Sequence, residues 1–162
     1  MRALLAGMAA AMLLTGCSQA VVGEAVEAKL FDPCTELPDT VLRKAGVRPD
    51  MKADAVQFED WKICGWLDAS DEDRSMTVYA TSYRLSDFRA NPTKSDFRDL
   101  ELGSRKVMQY KQLHSRNRAC VVGVDTASGS VHVEAAWLTD VTFDTCAFAL
   151  EQASILLPHL PD

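Results

Sequence analysis

Ala119-Cys120-Val121-Val122-Gly123-Val124 is an unbroken apolar run, followed by the turn Ala127-Ser128-Gly129-Ser130. A run this short, bounded by turn residues, reads as a buried strand. The Ser-Gly pair reads as a hairpin connection. The stretch from Ser130 to Leu138, with Trp137 near its end, then pairs back on the first strand. From Thr142 to Leu157 the pattern changes. Cys146, Ala149, Leu150, Ala153, Leu156 and Leu157 recur at helical spacing. Thr142 or Asp144 can cap this helix, and Pro158 and Pro161 end it. A hairpin followed by an amphipathic helix implies a sheet with a helix laid across it.

Upstream, Met76, Val78 and Ala80 alternate with Thr77, Tyr79 and Thr81 within a strand over Ser75–Leu85. Ala55–Glu59, Lys62–Ala69 and Gly103–Leu113 also read as strands, and Asp68–Arg74 as a charged turn. A short helix carries Leu37, Val41, Leu42 and Ala45 on one face, with Gly46 as its stop and Pro49 beyond it. Ser86-Asp87-Phe88-Arg89 and Ser95-Asp96-Phe97-Arg98 repeat nine residues apart. Each predicts a short helical turn with Ser as N-cap and a docked Phe. The sum is one α+β domain. It has an antiparallel sheet of about five or six strands, with a short N-terminal helix and a long C-terminal helix packed on it. A two-layer sandwich is the alternative.

The start of the chain has a different task. Arg2 precedes an uncharged apolar run, Ala3 to Leu14, and Leu14-Thr15-Gly16-Cys17 follows. The run is too short for a membrane-spanning helix, which needs about 20 residues, and fits an export signal. Small residues before Cys17 form a lipobox, so Cys17 is the expected lipidation site and first mature residue. Residues 1–16 read as signal peptide, 17–29 as lipid anchor and tether, and 30–162 as the domain. The tether reaches at most about 40 Å if fully extended. The expected location is the extracytoplasmic face of the cell membrane, held there by the lipid on Cys17. More than one acyl chain is needed for a stable anchor.

The 162-residue chain carries a formal net charge of -6, and 48% of it is hydrophobic. That allows a substantial core. An acidic surface gains no counterion-release energy on nucleic acid, so no nucleic-acid partner is expected. With Cys17 acylated, Cys34, Cys64, Cys120 and Cys146 remain, spaced by 30, 56 and 26 residues. An even number in an oxidising compartment favours two disulfides. A zinc site needs closer ligand pairs. Phe31-Asp32-Pro33-Cys34 and Phe143-Asp144-Thr145-Cys146 share a Phe-Asp-x-Cys pattern at helix starts, whereas Cys64 and Cys120 lie on strands. Stapling each helix start to a strand makes Cys34–Cys64 and Cys120–Cys146 the natural pairing. Four cysteines allow three connectivities, and the sequence alone leaves the others open.

Together, the lipobox, the Phe-Asp-Pro-Cys before a short helix, Cys64-Gly65-Trp66 on a strand, and a late cysteine strand followed by Asp-x-Cys resemble a family of actinobacterial secreted lipoproteins, catalogued as a domain of unknown function. The resemblance runs from about Phe31 to Pro158. It implies an envelope lipoprotein and an α+β fold, and it carries no catalytic residues. Thr145 stands where the resemblance suggests Pro is common.

No catalytic signature is readable. A Gly-rich phosphate loop and a G-x-S-x-G elbow are both missing. His114, His132 and His159 are scattered, and alternation with Val131 and Val133 puts His132 on a polar face. The acids from Asp68 to Asp73 lack calcium-loop spacing and read as a solvated turn. Pro92 blocks the sequon at Asn91. Trp61 and Trp66 read as core and hairpin packing. No catalytic residue, metal or cofactor is therefore expected. The expected function is a non-catalytic binding module contacting another envelope protein. The alternative is a carrier of a small apolar ligand or lipid between the sheet and the C-terminal helix.

Overall fold

The computed structural model describes residues 29–53, 57–112, 119–137 and 144–162. The signal peptide, Cys17, the tether up to Ala28, His114 and the helix start at Thr142 and Phe143 lie outside them.

In chain order the elements are α1 (Pro33–Glu36), α2 (Asp39–Lys44), β1 (Val47–Ala53), β2 (Gln57–Phe58), β3 (Trp61–Asp68), β4 (Arg74–Thr81), α3 (Leu85–Ala90), β5 (Lys94–Leu102), β6 (Arg105–Gln112), β7 (Ala119–Thr126), β8 (Gly129–Trp137) and α4 (Thr145–Leu156). Among the described residues seven strands form one antiparallel sheet in the order β1-β3-β4-β8-β7-β6-β5, and the two-residue β2 pairs with β3. The expected count of five or six strands was too low. The two missed strands, β1 and β5, are the edges. Pro49 in β1 has no N–H for a ladder, yet an edge strand tolerates it. Charges dominate β5, as they do on protected edges. The second Ser-Asp-Phe-Arg segment is therefore strand and not helical turn. It bulges between Ser95 and Arg98, with Asp96 at φ 54°.

One sheet face holds the main core. Cys64 and Trp66 of β3, Met76, Val78 and Ala80 of β4, Val122 and Val124 of β7, and Val131 and Val133 of β8 are buried there under α1, α2 and α4. Disulfides join Cys34 to Cys64 and Cys120 to Cys146. Each Phe-Asp-x-Cys segment does two jobs within three residues. Asp32 accepts from the Cys34 amide at 3.0 Å, and Asp144 accepts from the amides of Cys146 and Ala147 at 3.1 and 3.0 Å. The aspartate caps the helix, and the cysteine two residues on staples it to a strand. Gly46, at φ 82°, ends α2 in the left-handed conformation that favours glycine.

Candidate functional site

The other sheet face carries a second, aromatic cluster. Alternation puts Trp61 and Ile63 of β3, Tyr79 and Thr81 of β4, Ser130, His132 and Glu134 of β8, and Met108, Tyr110 and Gln112 of β6 on this side. The cover is residues 82–93, a strap containing α3. Phe88 drops from it onto His132, ring centres 4.2 Å apart, and Tyr79 stacks on the same imidazole at 4.8 Å. The strap is tied down at its start. Arg84 Nη1 donates to the Thr126 carbonyl at 2.6 Å, the Leu85 amide to Asp125 Oδ1 at 3.0 Å, and Ser82 Oγ to Asp60 at 2.8 Å.

Beneath the strap runs a chain of buried hydrogen bonds. Ser130 Oγ donates to the Tyr83 carbonyl at 2.6 Å and lies 2.8 Å from His132 Nε2. His132 Nδ1 is 3.1 Å from Tyr110 Oη, which is 2.8 Å from Tyr79 Oη. The serine has one proton, and the carbonyl takes it. His132 Nε2–H must then donate to Ser130, leaving Nδ1 to accept from Tyr110, which in turn accepts from Tyr79. Burial, with help from the Lys94 charge, pushes the imidazole down to about 3, so it is neutral. Burial raises both tyrosines. The imidazole therefore donates to the serine and is not positioned to take its proton. A serine nucleophile needs the opposite polarity. At the far end Lys94 Nζ donates to Gln112 Oε1 at 2.8 Å, and Gln112 Nε2 donates to Glu134. Burial raises the Glu134 carboxyl and lowers the Lys94 ammonium.

At one end of the strap the cluster reaches the surface. Trp61, Tyr83, Asp87, Phe88, Asn91 and Lys94 line a pocket of about 420 Å³. Trp61 touches Tyr79, Tyr83 and Phe88 at ring distances of 5.8, 6.0 and 6.0 Å. Phe58, its cross-strand partner, is 61% exposed, and Tyr83 is 46% exposed. Trp66 is core, as the sequence suggested, but Trp61 is the half-buried hub of an open aromatic patch.

His132 is on the face that alternation gave it, but this face is buried and not solvated. His159 is exposed just after α4. Asp68 is also buried, against the solvated turn expected. Its Oδ1 accepts from the Ser70 amide and hydroxyl, the Asp71 amide and Arg74. Among the described residues no group of three or more His, Cys, Asp or Glu side chains is arranged to hold a metal ion. Sequence reasoning missed Phe58, Tyr83 and Lys94. No local signal in the sequence marked them, because the strands that bring them together are distant in the chain.

A family model described as a protein of unknown function, DUF3558, matches residues 12–159, a span that includes all five cysteines. The chain belongs to this family. No curated protein and no solved structure matches it.

Proposed function

We propose that the chain is an exported lipoprotein of the cell envelope, anchored through Cys17, whose domain binds another envelope protein and catalyses nothing. The observation that carries this reading is the aromatic patch of exposed Phe58 and Tyr83 around half-buried Trp61, beside a pocket with polar rim residues. Aromatic anchors within a polar rim are the usual make-up of interaction hot spots. The polarity of the Ser130–His132 contact speaks against acyl-transfer chemistry. Ala149, Ala153 and Leu156 of α4 pack directly on the main core, which supports an interaction module over a carrier with cargo under that helix.

The test is photo-crosslinking in cells. A benzophenone amino acid replaces Phe58 in one strain and Glu151, exposed on α4, in another. The reading expects a discrete adduct from position 58 that weakens in Tyr83→Ser, and none from position 151. Equal adducts at both positions, or none at 58, would refute it.

A further inference from the structure

We infer that a separate site, between β6 and β7, takes an aliphatic chain with an anionic head. The two strands pair from Lys111↔Cys120 to Met108↔Gly123. Continuing that register would bring Val107 opposite Val124 and Arg105 opposite Thr126. Among the described residues no such pairs form, although β6 goes on pairing with β5 as far as Arg105, and β7 with β8 as far as Thr126. The sheet therefore opens at this end. A groove of about 1010 Å³ occupies the opening, walled by Leu85, Leu100, Val107, Met108 and Val124. Its size and apolar walls suit a small ligand.

Arg105 sets the polar end. Its Nη2 reaches across the opening to the Asp125 carbonyl at 3.0 Å, replacing a ladder bond. Its Nη1 is buried with no acceptor on the described chain. Buried donors are almost always paired, so an unpaired one points to an acceptor from outside. Of the other charges lining the groove, Arg89 is ion-paired with Asp99 and the Asp125 carboxylate takes the Leu85 amide, while Lys106 and Glu101 face each other across the strands at the exposed rim. The uncommitted donor is cationic and the walls are apolar, so the matching ligand is an anionic amphiphile.

The experiment uses the full chain in phosphocholine nanodiscs with ¹³C-methyl methionine. Octanoate is titrated while the Met108 methyl is followed, with Met76 on the opposite face as control. A saturable shift of Met108 alone is expected, with octanol and octyltrimethylammonium weaker by about tenfold or more, the scale of a charge-assisted hydrogen bond. Arg105→Gln should weaken octanoate by a similar factor while leaving octanol unchanged. Ala90→Trp, which fills the rim and spares Arg105, should weaken both. Octyl phosphate in place of octanoate separates a phospholipid-derived head from a free fatty acid. Equal binding of acid and alcohol, an unaffected Arg105→Gln, or no saturable shift would overturn the inference. So would displacement by a short extended peptide that binds where octanoate does not, an outcome favouring strand addition.

Discussion

The buried imidazole gives a prediction that can be worked through. His132 titrates at 6.5 when unfolded and at about 3 in the native protein. The native value is depressed, so the unfolded chain takes up the proton first. The stability of keeping His132 neutral is fully present above pH 6.5 and is lost as pH falls toward 3. The loss runs at about 1.4 kcal/mol per pH unit once below 6.5. Between pH 7 and pH 5 this amounts to about 2 kcal/mol. Glu134 acts in the opposite sense. Its carboxyl is raised by burial, so the native state holds that proton more tightly and gains stability as pH falls. The perturbation that isolates the histidine is His132→Asn. The variant is less stable at every pH because it loses the Ser130 and Tyr110 bonds, but it retains Glu134. Urea unfolding at pH 7, 6 and 5, followed by tryptophan fluorescence, gives the stability gap between wild type and variant. That gap should narrow by about 2 kcal/mol from pH 7 to pH 5. Parallel profiles would mean that His132 is not held neutral and would refute the burial argument.

Cys120→Ala with Cys146→Ala opens a loop whose ends are 26 residues apart, and should lower unfolding free energy by about 3.5 kcal/mol by chain entropy; denaturation without reductant measures it. Gly123→Ala puts a Cβ 2.6 Å from both His132 Nδ1 and Leu85 Cδ2. It should cost about 1–3 kcal/mol, with part of the loss recovered by adding Leu85→Ala. Cys17→Ala should abolish fatty-acid labelling and release the chain from the membrane fraction. Equal labelling of both proteins would remove the anchor from the proposal.

The centre of the sheet was legible because central strands must satisfy two demands at once. They alternate, and they carry valines on the covered face, as Val122, Val131 and Val133 do. The edges obey a weaker rule. Each of β1 and β5 has one neighbour on the main sheet path, so Pro49, Asp96 and Arg98 are admissible there and blur the period. The starts of α1 and α4 were legible through Asp32 and Asp144, whose capping role is local, whereas α3 begins after Arg84 and not at Ser86. The aromatic site was not. It draws on β2, β3, β4, α3, β5, β6 and β8, and no local signal says that a six-residue helix with one buried Phe covers Ser130 and His132. From sequence, a polar residue alternating with valine looks solvated. Only the strap makes it interior.

The division of labour between the two faces explains why the aromatic site can be both polar and well ordered. Disulfides and three helices fix one face, so the other need not be apolar throughout. A buried polar cluster is tolerable only if its members are satisfied. Here Ser130, His132, Tyr110 and Tyr79 satisfy one another in a single direction that ends on the Tyr83 carbonyl. That last bond links interior to surface. The backbone of Tyr83, whose ring lies open beside Trp61, is held by a buried serine and flanked by the Ser82 and Arg84 ties. On the proposed reading, a partner docking on Trp61 and Tyr83 would meet rings whose backbone the fold already holds in place. The entropy of arranging that surface has been met in folding, which is the condition under which a small aromatic patch binds tightly.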